Sequence, residues 1–430
     1  MILELKIRNF LSFKEEVVFS FEATSDDSLN EYYIAEPAPG VRVLKMAMVY
    51  GANASGKSNL LSAFNFIQSF VRKIPKERDK STRFIPFKFD VTKDQSGSFE
   101  LIFFADGIKH KYQLELDSEK VLKEVLFYYP GTQPAVIFDR YFDDSKQVSI
   151  VGFGPKVKIS EQAAEAIQLK TLKNMSVLAA YSQVNLALPE LNRSLDWFKN
   201  QFNPIIDPYT SLTAYSDEQI QSDDRIKKHA LEFIKEADFN ISNVSFEEEI
   251  KSVSDEMLKM LELDPFTDEE KAQIAKEKAI HFEQTVFEHR VVKNGKEEFH
   301  ILPESLESKG TMRYYGLSAP FFNTIEKNAF LPIDEIGTAL HPLLVMHFIK
   351  EFLRKSKQAQ LLFTTHNLSL LNGKDILRKD AIWFTEKGED GATSIYSMAD
   401  FNFRKELSFY NAYKQGKFGA IPNLDSNKLI

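Results

Sequence analysis

A chain of 430 residues that is 43% hydrophobic can bury a sizeable core across two or three domain-sized units, which excludes a disordered chain. A formal net charge of −8 argues against a broad basic surface coating nucleic acid without sequence preference, while a local basic patch for DNA stays compatible with it. The chain has no cysteine, hence no disulfide, thiol nucleophile or cysteine zinc site, and no apolar run approaches the roughly 18 residues that span a bilayer; the expectation is a cytoplasmic protein without a membrane segment.

Residues 2 to 21, ILELKIRNFLSFKEEVVFSF, alternate in a pattern interrupted once and predict two strands of a small sheet, without the basic start and apolar stretch of a signal peptide. An apolar strand follows at Met46 to Tyr50, then a glycine-bounded loop, then a helical pattern in which Leu60, Phe64, Ile67, Val71 and Ile74 recur at spacings of three and four. The loop, GANASGKS from Gly51 to Ser58, matches G-x-x-x-x-G-K-S in the strand–loop–helix setting that phosphate binding requires. Its glycines let backbone N–H groups face phosphate oxygens, and the helix N-terminus adds partial positive charge. Asn53, Ala54, Ser55, Gly56, Lys57, Ser58 and Asn59 are therefore the candidate phosphate-binding residues. Lys57 reaches the β- and γ-phosphates, and Ser58 offers its hydroxyl to Mg²⁺.

The mixed-sign cluster RKIPKERDK (72 to 80) reads as a solvated loop. Asp106-Gly107 stands between alternating runs over 99 to 116 and predicts a hairpin, so the first lobe is expected to be β-rich. From 161 to 280 the composition turns to helical segments rich in Glu, Lys, Ala and Leu, which predicts a mainly helical insertion between lobes at 1–160 and 281–430. Strand patterns return on either side of Asn294-Gly295, followed by a helix, an apolar strand, another helix and the strand LLFTTH. Alternating strands and helices call for a mostly parallel sheet covered on both faces, with ligands at the carboxyl ends of its strands.

AFLPIDE (329 to 335) is an apolar strand ending in two carboxylates, which suits one acid holding Mg²⁺ through water and the next orienting an attacking water. Asp334 is the metal candidate and Glu335 the base. Pro332 is a departure, because proline donates no ladder hydrogen bond. His366 ends the strand LLFTTH, where a neutral imidazole could donate to a γ-phosphate. The step from Lys57 to Asp334 covers 277 positions, too long for a compact AAA+ module, and the guanine-reading Asn-Lys-x-Asp motif is absent. In ESLESKGTMRYYG, just upstream of the acids, Ser308, Lys309 and Gly310 resemble a degenerate ABC signature opening a helix, a second anion-binding device.

IRNFLSF, GANASGKSN, ESKGT, IDEIGTALHP and TTHN occur in the order found in SMC- and RecF-like ABC ATPases, and the sequence resembles that class across both lobes. The tail from Arg378 to Leu424 is similar to that of RloA/AbiL-type ATPases, a group that includes the AriA subunit of the PARIS anti-phage system. The resemblance implies an α/β, ABC-type P-loop ATPase head with an N-terminal antiparallel β-subdomain and a helical insertion, using ATP and Mg²⁺. It also implies a homo-oligomer, at least a head-to-head dimer, in which Ser308 and Gly310 cap a partner's ATP and Thr338 to His341 form a D-loop. The TALH of that loop departs from the usual SALD, and the Q-loop glutamine is not evident, Gln113 lying in a strand pattern. By the same resemblance the chain senses phage intrusion through a trigger such as a phage protein. It then controls a separately encoded effector, a Toprim nuclease or toxin. The rival expectation is a RecF/SMC-like DNA repair ATPase; the insertion lacks the sustained heptads of a long coiled-coil arm. No Asp-x-Asp pair follows His366, so a nuclease of the chain's own is not expected.

Overall fold

Buried, alternating and helical patterns from the two ends of the chain fold together: Met1–Thr210 and Asn323–Ile430 form one unit, and Ser211–Phe322 a second. The computed structural model describes residues 1–76, 81–237, 239–254, 268–373, 376–402 and 408–421.

In the first unit the two expected N-terminal strands are Ile2–Arg8 and Val17–Ser20, paired antiparallel. They complete a seven-stranded antiparallel sheet with Gly97–Ala105, Ile108–Leu116, Val121–Tyr128, Ala135–Asp143 and Val148–Phe153. The expected hairpin turns at Asp106 and Gly107, whose φ values of 49° and 73° are those a two-residue primed turn requires. A second sheet runs Phe330–Ile333, Gln360–Thr364, Met46–Gly51, Ile382–Lys387, Thr393–Ser397, with the first four strands parallel and the last antiparallel. Every residue of Met46–Gly51 is buried, as befits a central parallel strand covered on both faces.

The helix Lys57–Arg72 links the two sheets through Phe64, whose ring lies 5.1 Å from Phe330 and 5.9 Å from Phe19. Leu60, Phe64, Ile67 and Val71 form its buried stripe as expected, but Ile74 falls beyond the helix end and is half-exposed, because the helix stops at Arg72 just ahead of Pro75. Pro332 is accommodated because Phe330–Ile333 is an edge strand. On its outer side the amides of Asn203 and Ile206 donate to the carbonyls of Phe330 and Pro332.

The expected mainly helical insertion at 161–280 takes a different form. The helices Glu161–Lys170, Val177–Tyr181 and Pro189–Asn200 belong to the first unit, where Val177–Tyr181 and Pro189–Asn200 pack on the helix Lys57–Arg72. A buried ion pair anchors this region: Glu124 accepts from Ser176 Oγ and the Val177 amide, and Arg140 donates to the carbonyls of Met175 and Leu172.

The second unit combines the helices Thr213–Ser222 and Asp224–Glu236, a three-stranded antiparallel sheet of Ile241–Ser252, Ala279–Lys293 and Lys296–Pro303, and most of the helix Lys309–Glu326, as far as Phe322. Its core joins Ile226, Ile234, Val244, Phe287, Tyr315 and Ala319. The first strand escaped the sequence reading because Glu247, Glu248 and Glu249 interrupt its apolar alternation. The turn at Asn294-Gly295 is present, with both residues at positive φ. Among the described residues no helix is long and apolar enough to cross a membrane. The solvated loop expected at 72–80 and the tail used for the resemblance fall partly outside the described residues.

Candidate functional site

Three adjacent parallel strands carry the candidate chemistry at their carboxyl ends. Met46–Gly51 leads into the phosphate loop, Gln360–Thr364 runs toward His366, and Phe330–Ile333 runs into Asp334 and Glu335. The strand of His366 lies between the other two, so residues far apart in sequence converge.

The loop geometry demands its glycines. Gly56 has φ 110°, and a Cβ there would meet Thr393 Oγ1 at 2.4 Å; a Cβ on Gly51 would lie 2.5 Å from the Thr385 carbonyl. Ala54 is held at φ 62°. Gly56 caps the helix Lys57–Arg72 without any side-chain hydrogen bond, and the first turn contains no acid. That leaves an uncompensated positive helix end. Lys57 is 5% exposed, and its Nζ donates to the carbonyls of Gly51 and Ala52, each at 3.1 Å. Burial lowers its pKa below the ordinary lysine value, opposed by the negative charges of Glu335 and Asp334. A buried cation beside bare amides suits a polyanion.

Asn53, Ala54 and Ser58 are exposed, whereas Ser55 and Asn59 turn toward the protein. Ser55 Oγ lies 2.6 Å from Thr385 Oγ1, and Asn59 donates to Ser12 Oγ at 2.7 Å. Thr393 Oγ1 lies 2.9 Å from the Ser55 carbonyl and 2.8 Å from Ser12 Oγ. Ser12, Thr385 and Thr393 thus brace the loop, and the sequence reading missed them because isolated hydroxyls in strand patterns carry no spacing signal.

Thr364 organises the paired acids. Its Oγ1 donates to Asp334 Oδ1 at 2.5 Å and accepts from the Glu335 amide at 2.8 Å, holding Glu335 at φ 47°. Asp334 is 7% exposed. The Glu335 carboxylate lies 2.9 Å from His366 Nε2. Burial raises the Glu335 pKa, which Lys57 lowers and Asp334 raises further. Burial also lowers that of His366, aided by Lys57 and opposed by Asp334. The exposed Ser58 hydroxyl and the carboxylate of Asp334 are hard oxygen donors suited to Mg²⁺ with water completing its shell.

Beyond the acids, the Thr338 amide donates to the Glu335 carbonyl, and His341 Nδ1 accepts from the Leu343 amide to cap the helix Pro342–Lys355. Gln113 bonds Glu100 within the antiparallel sheet. In the second unit, Ser308 Oγ accepts from the Thr311 amide at 3.0 Å and so caps the helix Lys309–Glu326, with Gly310 in its first turn. His289 Nε2 meets the preceding Glu307 at 2.5 Å.

Residues 46–372 match the family described as AAA domain, putative AbiEii toxin, Type IV TA system. No curated protein matches the chain. Among solved structures, the SMC head domain from Thermotoga maritima is 15% identical, covering 92% of this chain and 98% of that one at a TM-score of 0.39. An SMC head bound to the C-winged helix domain of ScpA is 13% identical, with 92% and 97% covered and a TM-score of 0.42. An SMC head domain with an extended coiled coil, bound to the C-terminal domain of ScpA derived from Pyrococcus furiosus, is 14% identical, with 97% and 98% covered and a TM-score of 0.35.

Proposed function

Because the chain belongs to the family of AAA domains described as putative AbiEii toxin, Type IV TA system, we propose that it is an ABC-type P-loop ATPase head that binds ATP with Mg²⁺ and hydrolyses it to ADP and phosphate. The supporting observation is the gathering of Lys57, Asp334, Glu335 and His366 at the carboxyl ends of three adjacent parallel strands. In this reading Lys57 exchanges the carbonyls of Gly51 and Ala52 for β- and γ-phosphate oxygens. The loop amides and the uncapped helix end take the remaining phosphate charge. Ser58 and Asp334 would hold Mg²⁺, which would supply positive charge to the transferring phosphoryl group. Glu335 orients the attacking water and takes its proton, while His366 gives up its contact with Glu335 to donate to the γ-phosphate. Ser308 and Gly310 of a second copy close the pocket, with the 338–341 loop at the joint.

The resemblance of the sequence to RloA/AbiL-type ATPases is the ground for proposing a regulatory role in anti-phage defence. The ATP-bound oligomer holds a separately encoded nuclease or toxin, in the cytoplasm, and releases it when a phage protein intrudes. The DNA repair reading requires salt-sensitive DNA binding, for which the net charge of −8 gives no support.

Equilibrium nucleotide binding and phosphate release test the enzymatic part. Glu335→Gln retains ATP and loses at least ~100-fold in turnover. Wild-type turnover in that variant, or a wild-type protein that takes up no nucleotide, contradicts the assignment.

A further inference from the structure

The strand Lys296–Pro303 is the outer member of its three-stranded sheet, so one row of its backbone N–H and C=O groups is unpaired by that sheet. Its residues 296–301 are all exposed. The register pairs Val292 with Glu297, Arg290 with Phe299 and Glu288 with Ile301, which places these side chains on one face. On that face Val292, Phe299 and Ile301 are 62%, 54% and 56% exposed. Charges frame them: Arg290 pairs with Glu297 at 3.0 Å, and Glu298 lies 3.3 Å from Lys293 and 3.2 Å from His300. An open edge that displays aromatic and branched side chains is a template for strand addition.

We propose that this edge pairs antiparallel with the same edge of a second copy of the chain, through a two-fold axis at Phe299. That register sets Phe299 opposite itself and keeps both rings and both Ile301 side chains on one face. It also sets Glu298 opposite the partner's His300 on each side of the axis, so a carboxylate acceptor faces an imidazole donor twice over. Moving the axis to His300 sets two imidazoles against each other and leaves Glu298 facing Leu302, which removes the match. Seven residues of each edge, 296 to 302, face one another in this register and fall well below the ~1,600 Å² of a standard interface, so the contact is weak alone and gains strength when the copies are also joined elsewhere. It requires no nucleotide and uses none of the residues assigned to the proposed ATP site.

The absence of cysteine allows a test without background. Full-length Glu298→Cys and His300→Cys proteins, one carrying a size tag, are mixed without nucleotide and mildly oxidised. Directly opposed residues fall within disulfide reach, whereas each introduced thiol is displaced by two residues from its own copy. The mixture is therefore expected to form at least about tenfold more linked heterodimer than either variant forms of homodimer. No linked heterodimer, or homodimers in equal yield, overturns the proposal. Because ATP is absent, that failure is separate from any failure of the nucleotide assignment.

Discussion

Glu335 and His366 lie 2.9 Å apart, and their environments shift them in opposite directions. Burial raises the carboxyl above its ordinary value of 4.5 and lowers the imidazole below 6.5, so the acid gains its proton at a higher pH than an exposed carboxylate and the base stays neutral through the neutral range. A general base must be ionised. The pH profile of kcat/KM is therefore expected to fall toward acid through one limb with its midpoint above 4.5, set by Glu335. An acid limb at the ordinary imidazole value of 6.5 that His366→Gln abolishes would assign the titration to His366 instead.

At the scale of elements, Thr364 connects the strand of His366 to the strand of the acids through a single hydroxyl. Thr364→Val leaves the Glu335 amide without that acceptor at a backbone held at φ 47°, and is expected to cost about 1–3 kcal/mol of stability. Thr364→Ser restores it. Thermal unfolding reads the loss, and unchanged midpoints for both variants would show that the hydroxyl holds nothing. Thr364 also marks the limit of what the sequence shows. GANASGKS, AFLPIDE and LLFTTH announce themselves because each joins an apolar strand to a polar terminus. The order in which these strands lie is a tertiary fact, and with it the placing of Thr364 between the acids and the loop. The same holds for Ser12, Thr385 and Thr393 behind Ser55. The strand Ile241–Ser252 was hidden for another reason, since the run Glu247 to Glu249 interrupts its apolar alternation.

At the scale of the molecule, the phosphate loop and paired acids belong to the unit formed by the two ends of the chain, whereas Ser308 and Gly310 belong to Ser211–Phe322. If each site draws its loop from one copy and its signature from another, two different lesions in two copies leave one site whole. Lys57→Ala is expected to weaken ATP binding ~10- to 100-fold through loss of a charged contact. Ser308→Arg is expected to leave binding intact and block closure of the partner's pocket. The most direct measurement is ATP turnover of each variant alone and of an equimolar mixture. The account predicts that the separate proteins are inactive and that the mixture recovers turnover, because a mixed dimer contains one intact loop facing one intact signature. A mixture as inactive as its components, under conditions where mixed oligomers form, would contradict it.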